Sequence, residues 1–77
     1  MSERPKKRSL TLHGHRTSVS LEDEFWDAFR DFARLEGLAI NALAARIDTE
    51  RGQDIGLASA IRLYVLRQYQ NTLQPDP

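Results

Sequence analysis

Two kinds of hydrophobic spacing divide this chain. From Ser9 to Leu21 apolar and polar positions alternate, with Leu10 and Leu12 on one parity, Thr17, Val19 and Leu21 on the other, and His13, Gly14 and His15 between them. Alternation of period two marks half-buried extended chain. The change of parity admits two readings. With Gly14 and His15 as the central pair of a type II′ turn, Leu12 faces Thr17 and Leu10 faces Val19, so that the apolar faces coincide in a hairpin. With Gly14 as a kink or bulge, Arg16 to Leu21 is the firm strand and Ser9 to Leu12 a looser extension. The second reading is taken forward, with the hairpin as its alternative.

After Leu21 the period changes. Glu22, Asp23 and Glu24 suit the electropositive first turn of a helix. Phe25, Ala28, Phe29, Phe32 and Leu35 then recur at helical spacing, widened by Trp26 and Ala33, with Asp27, Arg30, Asp31 and Arg34 on the wet side. Gly37 offers the left-handed position that stops this helix. A second helix is expected from Ala39 to about Arg51, with Ile40, Leu43, Ala44 and Ile47 as its buried stripe and Gly52 as its stop. A third is expected from Leu57 to about Asn71. Its apolar residues occupy more than one stripe, so that two of its faces need cover. The expected organisation is a basic arm at residues 1–8, a domain at 9–71 and a tail at 72–77.

With 77 residues and no cysteine, the chain is expected to build one modest core without disulfides or thiolate metal sites, and to gain from a partner. No apolar run approaches the roughly 20 residues of a membrane span, and no signal-peptide core follows the basic start. A cytoplasmic protein with no membrane partner is the expectation. The formal net charge is zero but segregated: residues 1–20 carry +4, from Arg4, Lys6, Lys7, Arg8 and Arg16 against Glu3, whereas residues 21–36 carry −4. Such a molecule can turn one face toward a polyanion and another away.

A single strand leading into helices leaves its own backbone groups unpaired. Antiparallel pairing with a second copy would satisfy them, turning Thr17, Val19 and Leu21 onto the helices and Arg16, Ser18 and Ser20 outward from both chains. A two-stranded ribbon is of a size that enters the major groove of DNA. An Arg fork can bond the O6 and N7 edge of guanine, and Ser hydroxyls can donate or accept at several base edges. Open amides near Leu38, Ala39 and Ile40, at the start of the second helix, could clamp phosphate.

The run RTSVSLEDEFWDAFRDFARLEGLAINALAARI, from Arg16 to Ile47, resembles the ribbon-helix-helix family of dimeric DNA-binding proteins. Its continuation through LASAIRLYVLRQYQ is similar to a bacterial subgroup with a third helix. The resemblance implies a mainly α homodimer, with base contacts from Arg16, Ser18 and Ser20 and phosphate contacts from the start of the second helix. Where the family commonly caps that helix with Ser or Thr, this chain has Ala39, and Asn41 is the nearest substitute. Lys6, Lys7 and Arg8 are the phosphate contacts expected of the arm.

If the hairpin forms, pairing across a two-fold axis would give four strands, wider than the groove accepts. The rival function is then a protein-interaction module, an antitoxin-like or adaptor dimer that holds a partner through its third helix and tails. His13 and His15 could share a metal, but with no third ligand a turn or phosphate-facing pair reads better. Trp26, Phe25, Phe29 and Phe32 read as core rather than a base-stacking platform, Asp48 and Glu50 as solvated helix, and Arg62 and Arg67 as water-facing. No nucleophile and base, metal set or phosphate-cradling glycine loop is evident, so no catalytic residue, metal or cofactor is expected. The expectation is a sequence-specific binder of double-stranded DNA, a transcriptional repressor or related regulator.

Overall fold

The computed structural model describes residues 4–73. Two strands, β1 (Lys6–Leu12) and β2 (His15–Leu21), are followed by three helices, α1 (Asp23–Leu35), α2 (Ile40–Glu50) and α3 (Leu57–Leu73). The strands form an antiparallel hairpin in which Leu12 pairs with His15, Leu10 with Thr17 and Arg8 with Val19. The kinked single strand is therefore corrected to a hairpin. Its central pair is His13 and Gly14 rather than Gly14 and His15, and both have positive φ, 52° and 81°. That is a type I′ turn, whose twist matches paired strands, and His is among the residues that tolerate the left-handed region. The register differs from the expected one by two residues, so parity is kept and the apolar faces still coincide.

Because β1 begins at Lys6, the expected arm boundary after Arg8 falls inside a strand. Helix α3 continues to Leu73, through the start of the expected tail. Residues 1–3 and 74–77 of that arm and tail lie outside the described residues.

One face of the hairpin lies on the helices. Leu10, Leu12, Val19 and Leu21 are buried against Ala28, Phe29 and Ala33 of α1, Leu43, Ala44 and Ile47 of α2, and Ala60, Ile61 and Val65 of α3. Thr17, expected on this face, is exposed near the turn, and Leu35 at the end of the α1 stripe is 80% exposed. No polar or charged residue is buried as a whole among the described residues. Helix α1 ends in a Schellman motif at Gly37 (φ 71°), where the Leu38 amide bonds the Ala33 carbonyl (2.9 Å) and the Gly37 amide that of Arg34 (3.0 Å).

At the rim of the core Glu36 joins all three helices. Its carboxylate meets the Arg46 fork of α2 at 3.1 Å and accepts a hydrogen bond from the Tyr64 hydroxyl of α3. The Tyr64 ring meets Phe29 and Phe32 edge-on, with centroids 6.2 Å apart in both pairs. Arg46, and secondarily Tyr64, hold the Glu36 carboxyl below its ordinary range. Burial first, and then the bond to Glu36, push the Tyr64 hydroxyl up to about 12.

Three outcomes follow from this packing. Phe29→Ala should cost about 3–5 kcal/mol, most of the stability of a domain this small, as read by denaturant unfolding. Asn accepts positive φ more readily than His, so His13→Asn should raise the melting temperature; a gain of about 0.5 kcal/mol would read as roughly 2–4 °C. A kinked single strand would give no such gain. In a pH series, the contribution of Tyr64 is full below its ordinary pKa of 10 and is lost as pH rises through about 12. That of Glu36 is full above its ordinary 4.5 and is lost as pH falls through its lowered value. Glu36→Gln should flatten the acid limb and only reduce the alkaline one, which the burial of Tyr64 also supports, and an unchanged acid limb would remove Glu36 from this role.

Candidate nucleic-acid interface

The face of the hairpin turned away from the helices consists of Lys7, Ser9 and Thr11 from β1 and Arg16, Ser18 and Ser20 from β2, all exposed. Across the strands Thr11 faces Arg16, Ser9 faces Ser18 and Lys7 faces Ser20. The result is one polar ribbon with a cation near each end. Neither Lys7 nor Arg16 has an ion-pair partner among the described residues.

The two edges of this ribbon follow from the turn. In a two-residue turn the flanking pair, Leu12 and His15, is hydrogen-bonded, and bonded and non-bonded pairs then alternate along the ladder. Thr11, Ser9 and Lys7 therefore direct their backbone groups to the free edge of β1, and Arg16, Ser18 and Ser20 to that of β2. Two side-chain bonds sit on those edges as this alternation requires. The Thr11 amide donates to Asn41 Oδ1 of α2 at 3.1 Å, and Arg62 Nη2 of α3 donates to the Ser20 carbonyl at 3.2 Å. A helix thus holds each edge.

The cations of the hairpin divide between two jobs. Lys7 and Arg16 face outward, whereas Lys6 and Arg8 have the parity of the inner face and converge on Asp23 at the start of α1. Lys6 Nζ lies 3.2 Å from Asp23 Oδ2. Arg8 pairs with Oδ1, donates to the Leu21 carbonyl at 3.3 Å and stacks over Trp26, its guanidinium carbon 5.4 Å from the ring centroid. Its Nε is buried without a partner. Arg8 first, and then Lys6, lower the Asp23 pKa. Lys6 and Arg8, the phosphate contacts expected of the arm, are paired with Asp23 and fasten the open end of the hairpin to α1.

Arg62 does the same for β2. Besides the Ser20 carbonyl it binds Glu22 Oε1 at 2.9–3.0 Å and lies over Phe25. The Glu22 carboxyl is lowered by its backbone hydrogen bond and then by Arg62. Arg62, expected to face water, is thus a tie between strand, α1 and α3. His13 Nε2 lies 3.4 Å from Thr49 Oγ1 of α2, and no cluster of three potential metal ligands occurs among the described residues.

At the start of α2, Ala39 is the N-cap and no side chain caps the helix. Asn41 does not serve as that cap, since its oxygen is taken by the β1 edge. The first helical bond is donated by Leu43 to the Ala39 carbonyl, so the amides of Ile40, Asn41 and Ala42 have no intrahelical partner. The bond between Asn41 and Thr11 fixes this helix start beside the ribbon, next to the Thr11–Arg16 pair. Leu38 and Ile40 are half-buried and contribute backbone there.

Ser9 and Thr11 are the ribbon residues that the single-strand reading missed, and it left Lys7 in an arm. Their signal was present in KKRSLTL: continuing the parity of Leu10 and Leu12 backward puts Lys7, Ser9 and Thr11 on the opposite, polar face.

Comparison with known proteins agrees with this geometry. A family model described as a ribbon-helix-helix domain matches residues 5–69. Among solved structures, an uncharacterized protein from Bordetella pertussis Tohama I is similar at 34% identity and a TM-score of 0.72. The match covers 94% of this chain and 64% of that one, so this chain spans a little under two thirds of the length of that relative. No curated protein matches. No helix among the described residues is long and apolar enough to cross a membrane. Hairpin, three helices and a family match over nearly the whole described chain together place this protein in the ribbon-helix-helix family.

Proposed function

We propose that this chain is a transcriptional regulator, a repressor of operator-like DNA in a bacterial cytoplasm, which works by binding rather than catalysis and acts as a homodimer. The observation that carries this reading is the outward face of the hairpin, wholly polar, with Lys7 and Arg16 free of ion partners among the described residues and both edges held by helices. A ribbon of two strands is about 5 Å wide between strand axes and one of four about 14 Å, against a major groove of about 12 Å. The hairpin of a single chain therefore meets the size limit without a strand from a second copy.

In this mechanism Arg16 reads a guanine edge through its fork, and Ser18 and Ser20, with Ser9 and Thr11 across from them, bond other base edges. Lys7 and the open amides of Ile40 and Asn41 engage phosphate and set the register on the duplex. Lys6 and Arg8 keep the ribbon in place from behind. Wide four-stranded pairing, which would favour the protein-interaction reading, is disfavoured by Arg62 on the Ser20 carbonyl.

Two substitutions separate reading from attraction. In mobility shifts against genomic fragments, Arg16→Ala should lose about 1–3 kcal/mol on preferred sites and relax selectivity at one base pair. Selectivity equal to the parent would remove Arg16 from base reading. Lys7→Ala should weaken all sequences alike and lower the slope of log affinity against log salt by about 0.9 for each phosphate that Lys7 neutralises. A loss confined to one sequence would contradict its role in holding phosphate.

A further inference from the structure

The end of α2, the loop after it and α3 converge around a cleft of about 320 Å³ that shares no residue with the ribbon. Helical spacing sets its walls. Ile47, Glu50 and Arg51 of α2 stand at i, i+3 and i+4, and Ala60, Leu63, Tyr64 and Arg67 of α3 at i, i+3, i+4 and i+7, so each helix turns one face to the cleft. Asp54 and Ile55 close it from the loop. That loop is held in place, because the Arg51 guanidinium donates to Asp48 at 2.8 Å and to the carbonyls of Gly52 and Ile55 at 3.1 and 2.6 Å. Small-molecule sites begin at about 300 Å³ and combine a preformed apolar wall with a few convergent polar groups.

The polar groups here carry both signs. Glu50, Asp54 and Arg67 are exposed, and among the described residues none of the three side chains is in an ion pair. Arg46, one turn before Glu50, is engaged with Glu36 and feels Glu50 only secondarily. Arg51 is engaged with Asp48 and the loop. Opposite charges therefore line one cleft without closing on each other, beside an apolar wall of Ile47, Ile55, Ala60 and Leu63. We infer that the cleft binds a small zwitterion with an apolar side chain, a free amino acid of about the size of leucine. Its ammonium group meets the carboxylates of Glu50 and Asp54, its carboxylate meets the Arg67 fork, and its side chain covers Ile55 and Leu63. Two carboxylates disfavour a simple anion, and Arg67 disfavours a simple cation; a molecule with both charges satisfies all three groups.

The inference is independent of DNA reading. Titration of the ¹⁵N-labelled full chain, followed by NMR, tests it with three probes: L-leucine, leucinamide, which lacks the carboxylate, and N-acetyl-leucine, which lacks the ammonium. The spectrum itself reports that each variant is folded. For the parent, L-leucine should shift resonances of residues 47–55 and 60–68 with a Kd of about 1 mM or below, and each analogue should bind at least about tenfold more weakly. Arg67→Gln should lose the preference for leucine over leucinamide and keep that over N-acetyl-leucine, while Glu50→Gln/Asp54→Asn should do the reverse. A general loosening of the cleft would weaken all three probes alike, so the crossed pattern isolates the two charge contacts. No shift in the parent at about 10 mM leucine, shifts confined to other residues, or preferences that survive both variants would overturn the site.

Discussion

The pairing of β1 with β2 inside one chain is the constraint on which the rest of this molecule depends. Extended backbone must find hydrogen-bond partners, and β2 finds them on β1, across a turn of His13 and Gly14. The pairing does two things together. It collects Leu10, Leu12, Val19 and Leu21 on one face as a lid for the helices, and it collects Lys7, Ser9, Thr11, Arg16, Ser18 and Ser20 on the other as a polar surface. A slip of one residue would exchange the two faces and lose both core and interface.

The helices supply what the hairpin lacks. A two-stranded ribbon is marginal in water by itself, and here each edge is held by a helix, through Asn41 on β1 and Arg62 on β2. Arg8 and Lys6 anchor its open end to Asp23. Helix α3 closes the core with Ala60, Ile61 and Val65, so the chain builds an apolar interior from its own residues. The same helix keeps Leu63, Leu66 and Leu73 exposed on its outer side.

Much of this was legible in the sequence because the spacings are strong. The α1 and α2 stripes, the stop at Gly37 and the third helix follow from period and glycine position, and the structure gives them within one or two residues. The hairpin was harder, because a change of parity is produced equally by a tight turn and by a bulge, and His-Gly is a weaker turn signal than Asn-Gly. The outward polar face, the candidate site, was legible in part. Arg16, Ser18 and Ser20 follow from alternation in β2, but Ser9 and Thr11 depend on recognising β1 as their neighbour. Composition alone does not separate Lys7 from Lys6 and Arg8; parity does, and so does Asp23, a partner from a different element. The edge contacts of Asn41 and Arg62 reach across 30 and 42 residues of chain, beyond the range of any local pattern.

The most direct test of the intrachain ribbon is an isotope-filtered NMR experiment on an equal mixture of labelled and unlabelled chains. Ser9 and Ser18 form a non-hydrogen-bonded pair, whose α-protons lie in close contact. Their cross-peak should arise wholly within one chain, whatever the oligomeric state; a Ser9–Ser18 or Ser18–Ser18 contact between labelled and unlabelled chains would show that the ribbon is built from two copies, and would contradict this account.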